Sequence, residues 1–411
     1  MTDEGTLIVG GGLASQRCIE TLRTRGYEGR IAMVCAEAEL PYDRPPLSKG
    51  MLAGEVEESE VEFRPASWYA DQCIELIFRR AVGIDAKRRG VRLDDDSELG
   101  YEDLLIATGS APRVLPQLDR FSNVHSLRTL ADARRLRGAF RTGARLAIVG
   151  AGFIGQEVAS TARRAGLEVT IIEALPAPLG SVLGEDIGRW LMSMHADEGV
   201  DVRLSTKLEG ARGNGVVEEL HLSGGEKLAC DAVVVGIGVV PDSEWLKGSG
   251  LPTDGVLTDG AGRTKLPHVF AAGDVARGFD DRVGEHRRTE HWEAAARGGM
   301  AAARAMLGEE PAPGPLTGFW SDQYGLRIQY VGHADLADER TIEGRPADRS
   351  FAVVYTRRGR PVGALAVDDP RAFARLRKEI ERAHTKKNHE QERSNDELRP
   401  KDRQERLQRA R

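Results

Sequence analysis

Two stretches of this chain are built on one plan, and that repeat restricts the fold more than any other feature. The first, "GTLIVGGGLASQRCIETLRTRGYEGRIAMVCAE", runs apolar strand, glycine loop, helix and second strand over residues 5–37. The second, "RLAIVGAGFIGQEVASTARRAGLEVTIIEA", repeats it over residues 145–174. A buried apolar run that ends in glycines and continues with helical periodicity is a βαβ unit, and two such units imply two dinucleotide-binding domains. In the first loop, Gly10 permits the tight turn and Gly12 lets backbone N–H groups approach a pyrophosphate at the positive helix end. Ser15 is small enough for close helix–strand packing. The second loop, Gly150-Ala151-Gly152-Phe153-Ile154-Gly155, carries the full glycine fingerprint. Glu173 ends the strand that follows, where a carboxylate accepts from ribose hydroxyls and repels a 2′-phosphate. No arginine follows it closely, so NAD(H) is expected rather than NADP(H). Ala36, just past the second strand of the first unit, is not acidic; Glu37 beside it is the candidate ribose ligand there.

The remaining chain fits around these units. Further buried strands ending in glycine are expected in "YEDLLIATGSAPRVLP", "DAVVVGIGVVPD" and "HVFAAGDVA". From Leu316 onward, "GFWSDQYGLRIQYVGHA" and "SFAVVYTRRGRPVGALAV" alternate apolar and polar residues, as strands of an antiparallel sheet do, and a helix over "DPRAFARLRKEIERA" follows. The expected fold class is α/β: two Rossmann-like dinucleotide-binding domains plus a C-terminal α+β domain with an antiparallel sheet. The expected boundaries are 1–112 with 244–315 for the first domain, 113–243 for the second, 316–383 for the third, and over 384–411 a charged tail, either a solvated, frayed helix or disordered. The apolar-poor composition of that tail is the reason for the last expectation.

Charge excludes some functions. The 58 basic and 64 acidic residues leave −6, so no global field calls for nucleic acid or an anionic membrane. The start "MTDEGTLIVGGG" lacks a signal-peptide pattern and no run is long enough to span a bilayer, so a cytoplasmic protein is expected. The four cysteines are far apart and form no C-x-x-C pair; they read as buried structural thiols, and no metal site is expected.

The segment "YDRPPLSKGML" between the loops is stiffened by prolines and presents Arg44 and Lys49. Together with the two loops, "ATG", "AAGDVA", "SLRTLADA", "EHWEAA" and "FWSDQ", it resembles the flavoprotein ferredoxin reductases of oxygenase systems. That group, which includes the putidaredoxin, rubredoxin and aromatic-ring dioxygenase reductases, belongs to the pyridine nucleotide-disulfide oxidoreductase-like flavoproteins. The resemblance covers residues 5 to about 374. It implies FAD held by Gly10, Gly12, Leu13, Ala14, Ser15, Glu37, Arg44, Pro45, Lys49, Ala81, Val82, Thr108, Gly109, Arg128 and Asp274, with Trp292 and Trp320 beside the flavin. It implies NAD held by Gly150, Gly152, Phe153, Ile154, Gly155, Glu157, Glu173, Gly236, Ile237, Gly238, Glu290 and His291. Asp274 has a second reading as the N-cap of a helix over "VARGF". By the same resemblance Lys49 pairs with Glu157, the two candidate catalytic residues, and so couples the flavin to the NADH site.

The implied activity is NADH:ferredoxin oxidoreductase. A small [2Fe–2S] ferredoxin, or a rubredoxin, is the expected partner of a monomer or homodimer, docking on basic residues such as the stretch His286, Arg287 and Arg288, and Arg297. Two alternatives stand beside it. A disulfide reductase, NADH oxidase or peroxidase needs a reactive cysteine that 42–54 does not contain. A redox-sensing or interaction flavoprotein similar to the apoptosis-inducing factor is the other.

Overall fold

The computed structural model describes residues 5–310 and 316–396, with 385–396 as backbone only. The chain divides into two compact units. One comprises Met1–Gly314 and Ser321–Gly325; the other comprises Pro315–Trp320 and Leu326–Arg411.

The first unit contains two five-stranded parallel sheets, one on each glycine-loop repeat. In the first sheet the order is Val269–Ala271, Asp103–Ile106, Thr6–Val9, Ile31–Val34, Ile74–Ile77. In the second it is Asp201–Arg203, Glu168–Ile172, Arg145–Val149, Ala232–Val235, Val124–His125. Each repeat supplies the central strand, which is why Thr6–Val9 is buried at every position and reads as one apolar run. Ligands of such sheets bind beyond the carboxyl ends of the strands, where both glycine loops lie. Helix Trp292–Met306 packs on helix Leu13–Thr24 so closely that a Cβ at Gly299 would stand 2.0 Å from the Ala14 carbonyl oxygen. A side chain there would prise the helices apart.

The second unit is built on antiparallel strands in the order Leu326–Gly332, Arg360–Val367, Ser350–Arg357, Glu339–Arg345. Leu316, Val331, Ala352, Ala364, Phe373, Leu376 and Ile380 form its core against one long helix.

The helix runs Pro370–Asp396, the frayed-helix alternative for the start of the tail, because 384–396 holds strong helix formers and neither glycine nor proline; residues 397–411 of the expected tail lie outside the described residues. Two expectations change. Cys73 is exposed, while Cys18, Cys35 and Cys230 are buried. Ala276–Asp280 is a strand paired with Glu285–Arg288, so Asp274 does not cap a helix there.

Candidate functional site

The first loop is shaped by backbone geometry. Gly10 has φ +119°, and a Cβ on it would stand 2.2 Å from the Ala107 carbonyl oxygen, so only glycine fits between these strands. Ser15 Oγ donates to the Gly10 carbonyl at 2.5 Å and ties the helix to the turn. Helix Leu13–Thr24 starts at Gly12 with no side-chain cap and no acid in its first turn, and a Cβ at Gly12 would meet nothing within 4 Å. Uncapped N–H groups at a positive helix end are what a pyrophosphate requires. The loop fits a dinucleotide.

The second loop passes the same test. Gly150 has φ +101° and lies against the Gly236 carbonyl; a Cβ on Gly155 would stand 2.4 Å from the Gly150 carbonyl. Helix Phe153–Arg164 also starts uncapped, at Gly152. The Glu173 carboxylate is anchored at this loop, accepting from the Ala151 N–H and the Leu175 N–H, each at 2.8 Å. Those bonds leave lone pairs on both oxygens for ribose hydroxyls. Gly238 has φ +96°, and the Arg113 N–H donates to its carbonyl. Phe153, Ile154 and Ile237 flank the loop; Ile154 is exposed.

Around the first loop the charged residues engage one another. Glu37 accepts from Arg44 at 2.8 Å and from the Tyr42 hydroxyl, so it is held by protein donors. Arg44 also donates to the Arg128 carbonyl. Arg128 donates to Asp274 at 3.0 Å, which accepts from Ser110 Oγ at 2.9 Å as well. Thr108 Oγ1 donates to the Asp242 carbonyl, and Gly109 takes φ +73°. Ala81 and Val82 open the strand Ala81–Asp85 of a separate three-stranded sheet.

The proline segment is clamped onto the second loop's helix. Pro45–Ser48 forms a 3₁₀ turn with proline at its start, where no N–H is needed. Thr161 Oγ1 donates to the Ser48 carbonyl at 2.8 Å. Lys49 Nζ donates to Glu157 Oε2 at 2.7 Å and to the Pro45 carbonyl at 3.1 Å. Glu157 is nearly inaccessible and takes two further donors, Ser48 Oγ and, at 2.7 Å, Ser321 Oγ. A buried carboxylate needs such donors, since an unpaired charge is costly in low dielectric.

Trp292 donates its indole N–H to Asp43 at 2.8 Å, and the Arg17 guanidinium lies 5.9 Å from the ring centre. Burial pushes the Asp43 carboxyl up despite that bond. Burial also raises Glu290, against the pull of Arg288 at 2.6 Å. His291 precedes helix Trp292–Met306. Trp320 belongs to the second unit. The expected docking arginines are each paired with a nearby glutamate: Arg287 with Glu285, Arg288 with Glu290, Arg297 with Glu293.

Sequence reasoning missed Ser48, Ser321 and Asp43 as partners of the key side chains. Ser48 and Ser321 lie inside "RPPLSK" and "FWSDQ", but a serine's role depends on what it faces, which no local pattern reports.

Residues 5–299 match the family model described as pyridine nucleotide-disulphide oxidoreductase. The chain belongs to that family. Residues 318–400 match a reductase C-terminal domain, in agreement with the sheet-and-helix second unit. Members using NAD(H) are FAD flavoproteins, and the cofactors of this chain are FAD and NAD(H). Among similar proteins is the anthranilate 1,2-dioxygenase system ferredoxin–NAD(+) reductase component of Burkholderia cepacia, 37% identical over 92% of this chain and 95% of its own. The benzene 1,2-dioxygenase system ferredoxin–NAD(+) reductase subunit of Pseudomonas putida is 36% identical over 91% and 92%. Among solved structures, putidaredoxin reductase in its covalent complex with putidaredoxin superposes with a TM-score of 0.90, at 30% identity over 92% of this chain and 93% of that one. The ferredoxin reductase for the CYP199A2 system of Rhodopseudomonas palustris gives 0.85, at 35% identity over 89% and 91%. Among the described residues no helix is long and apolar enough to cross a membrane.

Proposed function

We propose that this chain is an NADH-dependent ferredoxin reductase that feeds electrons to an oxygenase through a small [2Fe–2S] ferredoxin. The observation that carries the reading is the Lys49–Glu157 pair, which joins the segment after one dinucleotide loop to the helix that opens the other. When bound, FAD supplies the conversion of a hydride from NADH into single electrons. The protein's part is binding, orientation and charge. The uncapped helix at Gly12 receives the FAD pyrophosphate, and Arg44, Arg128 and Asp274 form its charged surroundings. The helix at Gly152 receives the NADH pyrophosphate, and Glu173 accepts from its ribose and disfavours a 2′-phosphate. Lys49 places a cation by the flavin that Glu157 keeps in position, and Trp292 is fixed by Asp43 as a wall of the site. Glu290 and His291 line the nicotinamide side.

Thiol chemistry at this site has no support. Cys35 Sγ lies 2.9 Å from where a Gly11 Cβ would stand, yet burial pushes its pKa up to about 12, far from a thiolate at neutral pH. The protein works in the cytoplasm as a monomer or homodimer. NADH-driven reduction of cytochrome c, with [2Fe–2S] ferredoxins and a rubredoxin added one at a time, tests the assignment. At least one ferredoxin should raise the rate well above the ferredoxin-free blank, and a flat response to all of them refutes it.

A further inference from the structure

Glu157 ends a chain of hydrogen bonds whose direction is fixed at every link. A carboxylate only accepts, so Ser321 Oγ donates to Glu157 Oε1 at 2.7 Å. With its one proton committed, Ser321 Oγ accepts from Gln323 Nε2 at 3.0 Å. The Gln323 amide oxygen therefore faces His195 Nε2 at 3.1 Å, and that nitrogen carries the ring proton. His195 Nδ1 then accepts from the Tyr324 hydroxyl at 2.8 Å. Burial holds the His195 pKa down at about 4, so the ring is neutral at working pH. His195, Ser321 and Gln323 are essentially without solvent contact. The Tyr324 N–H donates to Ser160 Oγ at 2.8 Å, on the helix that carries Glu157.

We propose that His195, on helix Glu185–Asp197, is a positioning residue for the Lys49–Glu157 pair, acting through Gln323 and Ser321. Its Nε2–H sets the Gln323 amide so that the amide nitrogen faces Ser321, and Ser321 is left to give its proton to Glu157. A reversed amide would draw that proton to the Gln323 oxygen and strip a donor from a buried carboxylate, a loss of the size of a hydrogen bond to a charged group. The chain transmits orientation and not protons, because an amide in its middle does not relay them at neutral pH. The inference rests on the proposed coupling role of the Lys49–Glu157 pair and adds the residues that hold it.

The test uses the FAD-loaded protein. Gln323→Glu, which accepts at both ends, and His195→Leu are each made alone and in a Glu157→Gln background. NAD+ dissociation constants and flavin midpoint potentials are then measured. Each single variant should weaken NAD+ binding about tenfold and shift the potential; in the Glu157→Gln background the change should shrink below about twofold. Equal effects in both backgrounds overturn the positioning role. Wild-type NAD+ affinity and potential in Glu157→Gln alone overturn the coupling reading beneath it. Ser321→Ala supplies the same cycle if His195→Leu does not fold. Independently, ¹⁵N-histidine spectra of the wild-type protein should show His195 as the Nε2–H tautomer, and an Nδ1–H tautomer contradicts the proposal.

Discussion

Lys49→Met leaves the Glu157 carboxylate buried without its cation. Removing one member of a fully buried ion pair costs about 3–5 kcal/mol, because the other charge stays in low dielectric. Here Ser48 and Ser321 still donate to Glu157, and 21% of the Lys49 side chain is exposed, so water already screens part of the pair. The expected loss is about 2 kcal/mol, or a drop of about 5 °C in the unfolding midpoint of the FAD-loaded protein. The double variant Lys49→Met/Glu157→Gln should recover more than half of it, since the stranded charge is gone. Differential scanning calorimetry of the parent, the single variants and the double variant measures both effects. A double variant as unstable as Lys49→Met alone would show that the pair does not carry this energy.

Other positions give equally direct outcomes. Glu173→Ala should raise the KM for NADH about tenfold or more and bring the NADPH rate closer to the NADH rate, measured by steady-state kinetics with both cofactors. Gly10→Ala should abolish FAD retention on purification, because its Cβ would overlap the Ala107 carbonyl and φ is +119°; a yellow, fully loaded variant would contradict the cradle. His195 has a lowered pKa, so its contribution to stability is complete above about 6.5 and is lost as pH falls toward about 4, by at most about 1.4 kcal/mol per pH unit. Urea titrations from pH 7 to 4.5 should therefore show a shallower acid slope in His195→Asn than in the parent.

Loops and strands were legible because each is a local consequence of residue type. Gly10 and Gly150 announce their turns, and the apolar runs before them announce buried parallel strands. The Lys49–Glu157 pair was reachable only through the resemblance, since nothing within either segment points to a partner more than a hundred residues away. Glu37 shows the limit from the other side. Its position near the first loop made it the candidate ribose ligand, but that Arg44 and the Tyr42 hydroxyl also donate to its carboxylate depends on how the proline segment folds back, which no local pattern reports. The tail was legible only as a choice between a frayed helix and disorder: poverty in apolar residues argues against a packed core, but not against a helix continuing from one that is already anchored.

By itself, the sequence determined the two βαβ units, the cofactor class and the nicotinamide preference, because glycine geometry and one carboxylate at a strand end act over a few neighbouring residues. Only the tertiary structure decided which hydroxyls and amides surround Glu157. Ser48, Ser321, Gln323 and His195 come from three distant stretches of chain, and a polar side chain has no fixed role until burial removes water and leaves it one partner on each side.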